Sequence, residues 1–253
     1  MPQSIETAYD SPGVWSVARL ELLRGMSEQA KDQFNSMMRT TRRRRGEWIF
    51  VLGDPADSIY LLREGRMKIA TFSEDGHEVL HEIIGPGVIF GDISTILRIP
   101  RTTSAQVLEA SLLCEVRRKD FESLLIAHPE LSWQLVKSAV LRLQKAEAQL
   151  LNVICHDVST RVREALLDLV ALEPGAGRDE PVRIGITQQD LANLVGASRQ
   201  QTSQALKELE DSSVLRLTYR SILVTAPHKL RNQQPRERHL DEQLTPVELP
   251  QQP

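Results

Sequence analysis

Cysteine is nearly absent. Of 253 residues only Cys114 and Cys155 carry thiols, far apart and without the paired spacings that zinc or iron-sulfur ligation requires. Both are read as buried thiols. The chain also lacks any apolar run approaching the roughly 20 residues that a membrane-spanning helix needs. Met1 to Pro12 shows neither a basic n-region nor an apolar h-region, so no secretory signal is legible and a cytoplasmic address is the expectation. No nucleophile-base or metal-ligand set stands out, which argues against enzymatic chemistry and against a metal or other cofactor. An excess of positive charge is missing too: the formal net charge is −3, and on that number alone a nucleic-acid partner would be overlooked.

What is present is an ordinary globular composition, 41% hydrophobic and 26% charged, in a chain long enough for two domains. Charge is distributed unevenly. From Arg199 to Arg231 six cations (Arg199, Lys207, Arg216, Arg220, Lys229, Arg231) face three anions (Glu208, Glu210, Asp211), which marks the segment as a candidate electrostatic footprint for nucleic acid.

From Glu47 to Val116 short β-rich runs (Trp48 to Val51, Ile59 to Leu62, Met67 to Ala70, Val79-Leu80) alternate with glycine turns at Gly53, Gly65, Gly76 and Gly85-Pro86-Gly87. This spacing predicts an antiparallel barrel or sandwich. After Pro129 the period changes. Trp133, Val136, Val140, Leu143, Glu147, Leu150 and Ile154 recur at alternating steps of three and four, a seam that needs a partner helix. It fits either a second copy of the chain or the chain's own domain. Glu147, the polar member, favours a dimer seam, where two copies would approach each other and make the helix sensitive to pH, a cation or a positively charged effector; a solvated glutamate off the seam is the other reading. A second helix is expected from Arg161 to Leu172, ending at Pro174-Gly175, and a polar loop over 177–181 follows it.

The strongest chemistry lies between Thr187 and Leu209. Thr187-Gln188-Gln189-Asp190 starts one helix in capping-box fashion, with Leu191, Ala192, Leu194 and Val195 on an apolar side. Gly196 supplies a turn. Ser198-Arg199-Gln200-Gln201 is a second capping box and opens a helix whose Leu206 and Leu209 face inward. Two short helices joined by a glycine turn form a helix-turn-helix, whose second helix enters the major groove by its N-terminal turn. Arg199, Gln200 and Gln204 are there; arginine can hold guanine and glutamine adenine bidentately. Ser198, Thr202 and Ser203 suit capping or phosphate contact. Val214 to Leu217 and Ile222 to Thr225 would form a hairpin wing with Arg216 and Arg220 as phosphate anchors. The run Arg42 to Arg45 reads as a solvated edge or as a second backbone or polymerase contact.

At these residues the chain resembles the cyclic-AMP receptor protein and fumarate-nitrate regulator (Crp/Fnr) family, from Arg19 to Leu230. The run from Gly196 to Asp211 is similar to that family's recognition helix without a gap. Arg142-Leu143-Gln144, Asn152 and Asp157 to Arg161 resemble its dimer helix and hinge. Gly53-Asp54, Tyr60, Gly65, Asp75-Gly76 and Phe90-Gly91-Asp92 resemble its sensor barrel. The resemblance implies an α+β protein: a flexible N-terminus (1–18), an antiparallel β-roll of the cyclic-nucleotide-binding jelly-roll type (19–128), a dimerisation helix (129–156), a winged helix-turn-helix (157–230) and a disordered tail (231–253). It further implies a homodimer on double-stranded operator DNA that contacts RNA polymerase. A module whose main activity is ligand binding by the β-roll is the alternative.

The departures concern the effector. Where cyclic-AMP binders of the family carry a glycine-glutamate pair for the ribose, this chain has Gly91-Asp92. Their phosphate-gripping arginine-serine pair corresponds to Thr103-Ser104, so the arginine is missing, with Arg101 two residues earlier as a potential substitute on the same strand face. The hydroxyl pair that meets adenine corresponds to Ala146 and Glu147. Two losses at opposite ends of the nucleotide argue against cyclic AMP, leaving another nucleotide, a non-nucleotide ligand or none. His77 and His81 sit beside a hairpin turn, where exposed histidines are common, and do not suggest haem.

Overall fold

The computed structural model describes residues 27–173 and 180–232. Helix α1 (Glu28–Met37) leads into strands β1 (Arg39–Arg43), β2 (Trp48–Phe50), β3 (Ser58–Glu64), β4 (Met67–Phe72), β5 (Glu78–Ile84) and β6 (Ile89–Phe90). Helix α2 (Asp92–Leu97) then precedes β7 (Ser104–Val107) and β8 (Ser111–Arg117). Helices α3 (Arg118–Ala127), α4 (Pro129–Cys155) and α5 (Val158–Ala171) follow. The last unit comprises β9 (Val182–Ile184), α6 (Gln188–Val195), α7 (Arg199–Asp211), β10 (Leu215–Thr218), β11 (Ser221–Val224) and α8 (Pro227–Asn232). The class is α+β.

Two antiparallel four-stranded sheets, ordered β1-β8-β3-β6 and β2-β7-β4-β5, form the β-roll. Strand alternation sorts the side chains of β3. Leu62 turns inward to Phe50, Met67, Phe90, Ala105 and Val107 between the sheets. Ile59 and Leu61 turn outward to Phe34 of α1, Phe121 and Leu124 of α3, and Leu131 and Leu135 at the start of α4. The large apolar side chains among them, such as Leu62, Met67, Phe34 and Phe121, each contribute roughly 1.5–3 kcal/mol. The same layer anchors one end of α4, and the rest of that helix projects beyond it.

Along this helix the heptad positions stand open. Trp133, Val136, Val140, Leu143, Leu150 and Ile154 are 50–70% exposed, so the chain's own domain does not cover them. Glu147 is exposed among them.

A third sheet, ordered β10-β11-β9, backs α5, α6 and α7. Its core is not separate from the β-roll. Ala70, Leu80, Ile83 and Leu108 of the roll belong to one buried cluster with Val162, Leu166 and Leu169 of α5 and with Leu191, Val195, Leu206 and Leu209 of the helix pair.

Several expectations change. Arg42 and Arg43 do not precede the first strand but lie within it, paired with Leu112 and Ser111 of β8; ladder hydrogen bonds override the low strand propensity of a charged run. Cys114 is buried, whereas Cys155 is exposed at the end of α4, because that end has left the domain core. The second helix starts at Val158 rather than Arg161, capped by Asp157, whose carboxylate accepts from Thr160 N at 2.7 Å. The wing strands end one residue nearer the tip, and Tyr219-Arg220 make the turn. The expected flexible N-terminus, the Pro174-Gly175 stop and most of the polar loop lie outside the described residues. So does the tail from 233 onward, while its first two positions end α8.

Candidate nucleic-acid interface and sensor cavity

The helix pair is assembled by local chemistry. Thr187 caps α6, its hydroxyl accepting from Asp190 N at 3.0 Å. Gly196 ends the helix at φ 62°, a left-handed conformation that glycine adopts without steric cost. Ser198 then caps α7: its Oγ accepts from Gln201 N at 3.2 Å, and Gln201 Oε1 accepts from Ser198 N at 3.2 Å. Arg161 of α5 clamps the turn from behind, donating to Val195 O at 2.6 Å and to Gly196 O at 3.3 Å. Both capping signals and the turn glycine thus stand where the sequence puts them.

On α7, Ala205, Leu206 and Leu209 are buried against the core, and Arg199, Gln200 and Gln204 point to solvent. The outward end is the N-terminus, where unpaired amides and the helix dipole favour anionic partners. Gln204 Nε2 donates to Glu208 Oε1 at 3.2 Å, a contact on the exposed face. Ser198 is exposed, whereas Ser203 is half-buried and donates to Gln188 Oε1 at 2.7 Å, tying α7 to α6. Thr202 is a correction. It is fully buried and its hydroxyl finds no hydrogen-bond partner, because the helical period turns this position toward the core, away from any phosphate.

In the wing, Arg216 and Arg220 are exposed. The turn between the strands also presents Tyr219, 88% exposed, with the Arg220 guanidinium 5.4 Å from its ring centroid. Tyr219 is not among the wing residues expected from the sequence, although an aromatic at a hairpin tip beside an arginine is a visible signal.

The sensor positions tell a different story. Gly91 adopts φ 73°, and Asp92 begins α2 with its carboxylate buried. Arg142 of α4 reaches it with two hydrogen bonds, Nη1 to Oδ1 at 3.1 Å and Nη2 to Oδ2 at 2.5 Å. The Asp92 carboxylate holds the Arg142 guanidinium above the ordinary arginine pKa. This partner was missed, since the two residues lie 50 positions apart.

Arg101 is likewise engaged, and it is not on a strand as expected but in the loop before β7. Its guanidinium donates to Gly91 O at 2.6 Å, Ser58 O at 2.5 Å and Thr95 Oγ1 at 3.3 Å, and lies 4.2 Å from the Phe50 ring centroid. Burial lowers its pKa and raises that of neighbouring Tyr60. Ser104 is buried, accepting from Leu52 N at 2.9 Å, and Thr103 is half-buried. Ala146 and Glu147 lie exposed on α4. Neither lines the cavity of about 460 Å³ that Asp92 and Arg142 border with Val88, Gln134 and Ser138. The structure therefore brings Gly91, Asp92 and Arg101 together and leaves Ala146 and Glu147 outside.

Among the described residues no group of three or more His, Cys, Asp or Glu side chains is placed to hold a metal. His81 shares a 2.9 Å hydrogen bond with Thr71 Oγ1, and exposed His77 lies 3.3 Å from Asp75. No helix of the described residues is long and apolar enough to cross a membrane.

A β-roll joined by a long helix to a capped helix pair with a wing defines a DNA-binding transcription regulator carrying a sensor domain. Comparison with known proteins agrees: the cyclic nucleotide-binding domain family matches residues 40–128 and the Crp-like helix-turn-helix domain family matches residues 160–233. The CRP-like cAMP-activated global transcriptional regulator of Mycobacterium tuberculosis is 31% identical over 218 residues, covering 85% of this chain and 96% of that protein. The cyclic AMP receptor protein of Thermus thermophilus is 29% identical over 196 residues, 78% of this chain and 88% of that one. In fold, the c-di-GMP responsive global regulator CLP of Xanthomonas campestris superposes with a TM-score of 0.68 at 21% identity, over 79% of this chain and 100% of that one. The chain belongs to the Crp/Fnr family of transcription regulators.

Proposed function

We propose that the chain acts as a homodimer on a roughly palindromic operator in the cytoplasm, contacts RNA polymerase there, performs no enzymatic reaction, and is not switched by cyclic AMP. The observation that carries the DNA reading is the exposed N-terminal turn of α7, where Arg199, Gln200 and Gln204 face outward beside the capping box of Ser198. In this reading Arg199 anchors a guanine, the two glutamines set the remaining preference, and Arg216 and Arg220 hold backbone phosphates. Selection of operators from random duplexes by the full-length protein, followed by titration of Arg199→Ala, tests it. Affinity for the selected operator should fall about tenfold or more; a loss within about threefold would remove Arg199 as the reader.

The open stripe of α4 supports dimerisation, since a soluble helix leaves so many large apolar side chains bare only where a partner covers them. Against cyclic AMP stand the threonine at position 103, where the resemblance calls for an arginine, and the engagement of both terminal nitrogens of Arg101 by Gly91 O and Ser58 O. Calorimetric titration of the dimer with cyclic AMP should give no saturable heat at micromolar concentration. A saturable heat would reverse this part of the reading without touching the DNA part.

A further inference from the structure

The junction between the β-roll and the helix pair contains two buried cations. Arg66 and Lys68 are 5% and 7% exposed. Arg66 immediately precedes β4 and Lys68 lies within it, between β7 and β5, so two residues apart they share one face of the sheet. Arg66 meets Glu173, just past α5, and lies 3.8 Å from Glu109. Lys68 Nζ donates to Glu78 of β5, with nitrogen-oxygen distances of 2.6 and 2.9 Å to its two oxygens, and to Asp190 Oδ1 of α6 at 3.0 Å. Asn193, one turn along α6, donates to the same Glu78 at 3.0 Å. One sensor hairpin thus grips α6 at two successive turns.

Such an arrangement is costly unless its geometry is kept. A buried ammonium must hold its carboxylates, because removing either partner leaves an uncompensated charge. Although burial alone would depress the Lys68 pKa, its hydrogen bonds with Glu78 and Asp190 more than offset this and the value lies above that of free lysine. Around the ions lie Ala70, Leu80 and Ile83 of the roll against Leu191 and Val195 of α6. The apolar contact supplies adhesion without direction, and the ion network supplies the angle.

We infer that Lys68, a residue of the sensor domain, is a positioning residue for operator reading: through Glu78 and Asp190 it sets the angle at which α6 and α7 are carried. In a dimer that angle fixes the separation of the two reading helices, which must match half-sites about 34 Å, or roughly 10 base pairs, apart. The inference rests on the dimeric DNA reading above.

The test uses the full-length protein, the operator it selects, and two derivatives of that operator with the half-sites one base pair closer and one base pair farther apart. The wild-type protein should prefer its own spacing by about tenfold or more. Lys68→Met, which keeps the aliphatic stem and deletes the charge, should bring the three spacings to within about threefold of one another, while Lys68→Arg should retain the preference. A merely structural role would lower affinity at every spacing alike and leave the ratios unchanged. If Lys68→Met does not fold, Asp190→Asn, which keeps a hydrogen-bond acceptor for Thr187, gives the same measurement. The inference is overturned if the charge-deleted variant keeps the wild-type spacing ratios, or if Lys68→Arg loses them as fully as Lys68→Met. Failure of the wild-type protein to select any two-half-site operator would overturn the dimeric reading itself, and this inference with it.

Discussion

Asp92 and Arg142 close a two-pronged ion pair, with contacts of 3.1 and 2.5 Å, between the first residue of α2 and the middle of α4. The carboxylate is almost wholly buried, at 3% exposure. Deleting its partner strands a charge in a low-dielectric site. Arg142→Met should destabilise the protein by about 3 kcal/mol, since the guanidinium retains some solvent contact. In a chain of this size that corresponds to a fall of roughly 6–12 °C in melting temperature. Adding Asp92→Asn should recover most of the loss, and a double-mutant cycle by thermal denaturation reads the coupling.

Thr202 offers a test of opposite sign. Its hydroxyl is buried without a partner, so the isosteric Thr202→Val removes a desolvation cost and should be neutral or stabilising by up to about 1 kcal/mol. Operator affinity should stay within about twofold. A large affinity loss on titration would return Thr202 to the DNA face.

The wing arginines should act through charge alone. Arg216→Ala and Arg220→Ala should each weaken binding evenly across operator sequences and reduce the slope of log affinity against log salt by about 1. Fluorescence anisotropy at several salt concentrations measures this. An unchanged slope would show that neither side chain meets a phosphate.

The hinge cap carries a pH dependence of known sign. The backbone amide of Thr160, with its side chain, holds the Asp157 carboxyl below the usual range. A group whose folded pKa is depressed contributes stability that is complete above its ordinary value, about 3.9, and is lost as pH falls through the folded one. Asp157→Ala should therefore cost about 1 kcal/mol at neutral pH. Urea denaturation should show the gap between variant and wild type narrowing below about pH 4.

What could be read in advance were features whose cause lies within a few residues. Ser198 with Gln201, Thr187 with Asp190, and Gly196 are such features, because caps and turns are satisfied locally. Features made by distant partners were not legible. β1 exists because Arg42 and Arg43 pair with a strand about 70 residues on. From sequence alone Arg101 reads as a potential ligand contact, because nothing local places Ser58 O or Gly91 O beside it. Lys68 meets Asp190 across 122 positions. Thr202 was misplaced for a subtler reason: hydroxyls suit phosphates as readily as interiors, and only the rotation of α7 against α5 and α6 decides between them.

The single buried cluster shared by Ala70, Leu80 and Ile83 of the roll with Leu166, Leu191 and Val195 beyond it bears on how this architecture can be recombined. A reading head cut out after the long helix would expose that surface to water, and a sensor cut before it would do the same with the complementary half. Grafting this reader onto a foreign sensor, or this sensor onto a foreign reader, therefore requires the hairpin of β4 and β5 to travel with α5 and α6, so the exchangeable cassette in this chain is the junction and not the domain.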